Sequence, residues 1–341
     1  MNSLLNAAAV LLLSITAVVT GCTPALIRGA PVAEPRSVKL TSPDSSNSAP
    51  YTSFVPSSAE RGVLLHGAQL ADLAYLDVDS ALGAFRTLGY DAAYFASRDL
   101  LREHYPRVFV LGEANQSRVT LVFVGTETWF DWLQNVKITR YVDVPGNGTF
   151  YVPPGHGGFR RGQLNLIADG FYSRILPDLL KEWGFPETGP ISVRLVGHSL
   201  GAALAILAAP IVEGVRFENE VGSTVPAIPN LQAKTSRFRV SNIILFAAPY
   251  ALSTEPLRQF PREKFDPYQA YKEAYGDLIL SVVRDDDPVP RLGNPSASFR
   301  YRHVGKHYRI TRDDVLLYEE TSWQVKEPHG IKSYIRGLQV K

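Results

Sequence analysis

The chain has almost no sulfur, with one cysteine, Cys22, and one methionine, Met1, in 341 residues. Without a second thiol no internal disulfide can form, so packing alone must hold the fold. Charge of either sign is balanced as well. Lys and Arg number 35 against 33 Asp and Glu, a formal net charge of +2, and no basic run or zinc-finger spacing occurs. The electrostatic footprint of a nucleic-acid binder is therefore missing, and no nucleic-acid partner is expected. The uncharged apolar run from Ala7 to Val19 is shorter than the ~20 residues a membrane-spanning helix needs. What is present is a globular composition, 45% hydrophobic and 20% charged, with no internal repeat.

The apolar run ends in Val19-Thr20-Gly21-Cys22, small residues leading to the sole cysteine. This resembles a bacterial lipoprotein signal, in which Cys22 is lipidated and becomes the mature N-terminus. The resemblance implies membrane attachment through that N-terminus at the cell envelope (the outer membrane in a Gram-negative cell), with the remaining chain outside the cytoplasm. Met1 to Asn6 carries no Lys or Arg, so a plain secretory signal cleaved nearby is the alternative. Residues 1–21 read as signal peptide and 22–60 as a tether rich in Ser and Pro, with "TSPDSSNSAPYTSFVPSS" typical of it. Residues 61–341 read as one domain. No obligate protein partner is evident.

Within that domain "VLLHGAQLADLAYL" and "ALGAFRTLGY" have helical apolar spacing, and "RVFVLGEANQSRVTLVFVGT" reads as a β-hairpin. "ITRYVDVPGNGTFYV" reads as a second hairpin turning at Asn147-Gly148. "RRGQLNLIADGFYSRILPDLLKEWG" predicts a long amphipathic helix kinked at Pro177 and ending near Gly184. "ISVRLVG", "VSNIILFAAP" and "LILSVVR" predict strands buried on both faces, and "AALAILAAPIV" predicts a helix. Strands without polar faces alternating with helices indicate an α/β fold, a mostly parallel sheet covered by helices on both faces.

Gly197-His198-Ser199-Leu200-Gly201 lies between one such strand and such a helix. That is the context a G-x-S-x-G nucleophile requires, with small residues allowing a sharp turn and Ser199 at a helix N-terminus. The alternative is a serine that merely caps the helix. A serine hydroxyl needs a base, and the base needs an orienting acid. Of the downstream histidines, His303 and His307 lie in "FRYRHVGKHYRI". Read as a strand, it sets their imidazoles ~13 Å apart on one face, as structural side chains. His329 follows a Pro-marked loop ahead of a final amphipathic helix and is the candidate base. Asp287, extended before Pro288 at the end of a buried strand, is the candidate acid. Asp285 and Asp286 read as solvated neighbours or caps. No His cluster or second acidic motif accompanies these aspartates, so no metal and no organic cofactor are expected.

Taken together, these segments resemble the class 3 lipases of the α/β-hydrolase fold. The matching segments are "VFVGTETWFDWLQN", "GHGGF", "GHSLGAALA", "LFAAP", "DPVPRL" and the histidine before "SYIRGL", in the family's order from about Val119 to Leu338. The resemblance implies a serine-dependent ester hydrolase acting on acylglycerols, with phospholipase A or acyl transfer as rival chemistries and a non-catalytic binding protein as a third. It implies Ser199 as nucleophile, Asp287 as acid, His329 as base, and backbone N–H groups of Thr126 and Leu200 as the oxyanion hole. His156 matches a position usually structural. Two departures are Val124, where the family often has Arg, and Ala for the usual Gly in "LFAAPY". Trp129, Phe130, Trp132 and Leu133 crowd large apolar groups just past Thr126. They read either as core or as a lid or rim meeting lipid.

Overall fold

The computed structural model describes residues 56–97, 106–125, 150–155, 157–218, 228–253, 265–287, 289–291, 301–310 and 329–339. The hairpin expected at Asn147-Gly148 lies almost wholly outside them. Helix α1 (Ser58–Leu73) opens with a capping box: the Glu60 amide donates to the Ser57 hydroxyl, and the Ser57 amide to the Glu60 carboxylate. These two bonds start ordered structure ahead of residue 61, where composition alone sets the end of the tether. Helix α2 (Val78–Thr87) is capped in turn by Asp77.

Seven strands make one sheet: β1 (Asp91–Ala96), β2 (Arg107–Glu113), β3 (Arg118–Phe123), β4 (Ile191–His198), β5 (Phe238–Phe246), β6 (Ile279–Arg284) and β7 (Lys306–Ile310). The first three pair antiparallel, and β3 onward pair parallel. Spatial order equals chain order. A sheet that always advances in one direction through right-handed crossovers puts every crossover helix on the same face. Helices α3 (Gly157–Ala168), α4 (Leu176–Glu182), α5 (Leu200–Val212) and α6 (Pro267–Tyr275) occupy that face, burying Phe159, Leu180, Leu207 and Tyr271. Among the described residues, the opposite face is covered from the two ends of the domain. There α1 and α2 join α7 (Ile331–Gln339), with Leu64, Phe85, Tyr334 and Leu338 forming a second core. Alternate residues of one strand serve the two cores: Leu245 belongs to the first, Ile244 and Phe246 to the second. That division explains the unbroken apolar run from Ile243 to Phe246, where both faces of β5 are covered.

Two local expectations are corrected. The long helix breaks at Gly170 (φ 75) rather than kinking at Pro177. A π-helical turn over Phe171–Ile175 follows and runs directly into α4, with Pro177 in that helix's first turn. The segment holding His303 and His307 is not one strand. It bends at Gly305 (φ 101), where a Cβ would lie 2.4 Å from Ile279 Cβ, and the two imidazole centroids come within 5.5 Å. Nε2–H of His303 donates to the Pro290 carbonyl at 2.9 Å, so the pair supports the loop that follows Asp287.

Candidate active site

Strand β4 ends at His198 and α5 begins at Leu200, leaving Ser199 alone at the turn with φ 57 and ψ −126. An L-residue held there is strained by about 1–3 kcal/mol. Its side chain makes no capping bond, which removes the helix-cap alternative. Two glycines allow the turn. A Cβ on Gly197 would sit 2.3 Å from the Gly201 carbonyl oxygen, and one on Gly201 would sit 2.1 Å from the Phe123 carbonyl oxygen at the end of β3. Both obstacles are backbone. Gly201→Ala is accordingly expected to destabilise the domain by about 3 kcal/mol or more, lowering Tm by roughly 10 °C. Gly62→Ala in α1, where an added Cβ meets nothing within 4 Å, is the control and should leave Tm unchanged or higher. Equal Tm values for the two variants would refute the close-approach argument.

The structure brings together Ser199, His329 and Asp287, which lie 130 and 42 residues from one another along the chain. His329 stands at the entrance to α7, and Asp287 just past β6. The Ser199 hydroxyl is 2.9 Å from His329 Nε2, and His329 Nδ1 is 2.9 Å from Asp287 Oδ2 and 3.2 Å from Oδ1. A carboxylate only accepts, so Nδ1 carries the proton, and Nε2 offers its lone pair to the serine hydroxyl. Asp287 also accepts the Val289 amide at 2.8 Å and the Tyr334 hydroxyl. Burial, together with the adjacent carboxylate, holds the Tyr334 phenol well above its ordinary range, so it remains a donor. All three residues are buried.

The other aspartates are the solvated neighbours expected, Asp286 exposed and Asp285 half-buried, and each is also held by an arginine. Asp285 is bonded to Arg309, and Asp286 takes two bonds from the buried Arg284 at 3.0 and 2.8 Å. Each guanidinium draws its carboxylate away, and only Asp287 faces the imidazole. Leu200 is the first residue of α5, and its N–H is one of the amides a helix leaves without an internal partner. Thr126, His156, Trp129, Phe130, Trp132 and Leu133 lie outside the described residues. Gly125, just before Thr126, is described. Its carbonyl accepts from Arg107 at 3.2 Å, and a Cβ on it would collide with the Tyr75 hydroxyl at 2.2 Å. Arg107 faces Val124 across the β2–β3 pair, so a guanidinium stands beside position 124 although the residue there is Val. The second departure also leaves a trace. Ala247 has φ 51, a left-handed conformation that favours glycine.

Three partners of this cluster escaped the sequence reading. Tyr75, Arg107 and Tyr334 come from α1's end, from β2 and from α7, and no short motif links them to Ser199. His198 lies inside the motif, yet nothing in the motif says what its ring touches. Among the described residues, no group of three or more His, Cys, Asp and Glu side chains is arranged to hold a metal ion, and no helix is long and apolar enough to cross a membrane.

Residues 120–242, from β3 through the serine turn into β5, match the family model of class 3 lipases. That stretch of the chain is similar to class 3 lipases. A chloroplastic phospholipase A(1), DAD1 of Arabidopsis thaliana, is 35% identical to it over 103 residues, which cover 27% of this chain and 22% of that protein. The match thus spans only about a fifth of that relative. Among solved structures, a fungal lipase superposes with a TM-score of 0.50 at 17% identity, covering 75% of this chain and 82% of the other. A variant of MDLA from Penicillium cyclopium gives 0.50 at 18%, with the same coverages. At these identities the likeness concerns the fold, and it agrees with the parallel sheet and helical layers described above.

Proposed function

We propose that this domain is a serine-dependent carboxylic ester hydrolase acting on acylglycerols. The observation that carries the reading is the linear array from Ser199 Oγ through His329 to Asp287, set on a strained turn. In the proposed reaction Ser199 Oγ bonds to the ester carbonyl carbon while its proton passes to His329 Nε2. The Leu200 and Thr126 amides receive the negative charge that develops on the carbonyl oxygen. The intermediate collapses, the C–O bond breaks, and His329 returns the proton to the departing alcohol. Water then repeats the sequence against the acyl-serine and releases the acid. Asp287 holds the imidazole's tautomer and favours its transient positive charge. All of this uses the chain's own groups.

The test is covalent. A fluorophosphonate probe should label the purified protein once, and peptide mapping should place the adduct on Ser199. Labelling elsewhere, or none, removes the proposal. The DAD1 relative, named for phospholipase A(1) activity, favours a second reading in which the ester belongs to a phospholipid. Fatty-acid release from phosphatidylcholine vesicles, compared with release from a diacylglycerol emulsion, decides between the two substrates.

The proposal extends to the N-terminus, where Cys22 is lipidated and ties the domain to the bacterial envelope. A cleaved and acylated cysteine carries two or three chains, enough for stable anchoring where one chain is marginal. Mass spectrometry of the mature protein should find acylated Cys22 as its first residue, and Cys22→Ala should leave the protein unprocessed or in the soluble fraction. Any other mature first residue defeats the anchoring.

A further inference from the structure

His198 precedes the serine and takes no proton in the scheme above, yet it is buried against the base. Its ring lies 4.8 Å from that of His329, tilted by 31°. Nε2 is 2.8 Å from the backbone carbonyl oxygen of His329, and Nδ1 is 2.7 Å from the Tyr75 hydroxyl at the end of α1. A carbonyl can only accept, so Nε2 carries a proton. Burial, aided by the neighbouring His329, pushes the His198 imidazole down to about 3, so at neutral pH it holds no second proton. Nδ1 is therefore a lone pair, and the Tyr75 O–H donates to it. The result is a directed chain: Tyr75 O–H to His198 Nδ1, then His198 Nε2–H to the carbonyl of His329. A neutral ring also suits its place, because a charged one would oppose the imidazolium that forms on His329 during turnover.

We propose that Tyr75 and His198 are positioning residues for the base: the hydroxyl selects the tautomer of His198, and His198 holds the backbone of His329 at the distance Ser199 requires. This inference rests on the ester-hydrolase reading. Side-chain bonds to Asp287 fix the far edge of the His329 imidazole, but they leave the backbone free to rock about that contact. The bond from His198 ties the backbone to the same turn that carries the nucleophile. Nucleophile and base then move as one unit, which matters because small misplacements of reacting groups cost large factors in rate. Tyr75 adds a second point of registration. Its hydroxyl lies where a Gly125 side chain would begin, beside the segment leading to Thr126.

The test uses the full chain and a soluble short-chain ester. Tyr75→Phe removes one oxygen and keeps the ring. It should lower kcat about 10-fold with KM unchanged, and it should shift or broaden the downfield proton resonance of His329 Nδ1–H. His198→Phe should lower kcat at least as much, and adding Tyr75→Phe to it should cost little more, because the chain is already cut. His198→Gln, whose amide N–H reaches toward the same carbonyl, should recover part of the rate lost in His198→Phe. The inference is overturned if Tyr75→Phe leaves kcat and the Nδ1–H resonance unchanged, or if the two substitutions act additively. It is equally overturned if the rate losses merely follow falling Tm, with no rescue by Gln. Failure of the ester-hydrolase reading itself would show earlier, as a wild-type protein that neither turns over the ester nor labels at Ser199.

Discussion

Ser199→Ala is expected to lower ester hydrolysis by about 10⁴-fold or more and to abolish fluorophosphonate labelling, because the Ser199 hydroxyl is the one that lies 2.9 Å from His329 Nε2 among the described residues. Thermal stability should hardly change, since the substitution removes one hydrogen bond to His329 and leaves the backbone strain in place. That strain permits a sharper comparison. Ser199→Gly should be as inactive as the alanine variant yet about 1 kcal/mol more stable than it, because glycine accepts φ 57 without penalty. His329→Ala should match the loss of activity. A Ser199→Ala protein that still turns over substrate at a tenth of the wild-type rate would end the case for this serine as nucleophile.

Acid should unfold the domain over an unusually early range, and the cause is a set of neutral buried histidines. Burial pushes His198 and His303 down to about 3 and His307 down to about 4, with neighbouring imidazoles adding to the shift at the first two. Unfolding returns each ring to an ordinary value near 6.5. Below that pH the unfolded chain binds protons that the folded chain refuses, so stability is full above about 6.5 and falls as pH drops toward the folded values. At pH 5 each ring costs about 2 kcal/mol. Three rings cost about 6, which is comparable to the 5–15 kcal/mol total stability of ordinary domains. Asp72, raised by burial, works in the opposite sense near its own titration, but it is one group against three. Urea midpoints measured from pH 7.5 to 4.5 should fall steadily below pH 6.5, and His303→Gln with His307→Gln should flatten the slope. A midpoint independent of pH across that interval would contradict the burial of these rings as neutral groups.

The α/β architecture was legible because its strands are unlike those of a one-sided sheet. Ile243, Ile244, Leu245 and Phe246 read as continuous apolar sequence since both faces of β5 are covered there. Ser199, Asp287 and His329 were legible for another reason: the strand, turn and helix around the serine limit what can follow, and each partner sits beside its own mark, a buried strand for one and a proline-bearing loop for the other. Illegible were contacts whose partners share no periodicity. Tyr75 meets His198 across 123 residues, and Tyr334 reaches Asp287 from a helix on the opposite face from the crossover helices. The bend at Gly305 was missed because alternating aromatic and basic residues imitate a strand, whereas the close approach of Ile279 that demands glycine there is a tertiary fact. The same holds for Asp285, whose partner Arg309 lies on β7, whereas Arg284, the partner of Asp286, directly precedes the acidic run.

The two ends of the domain close the sheet's second face, and α7, the last element described, carries His329 at its entrance. A ribosome must therefore deliver the chain as far as residue 329 before nucleophile and base can meet. Until then Ser199 can be folded on its turn with His329 not yet made, and the proposed hydrolysis cannot begin. Order of synthesis thus serves as a safety catch: the proposed activity switches on with α7, and any fragment ending before residue 329 is inert by construction.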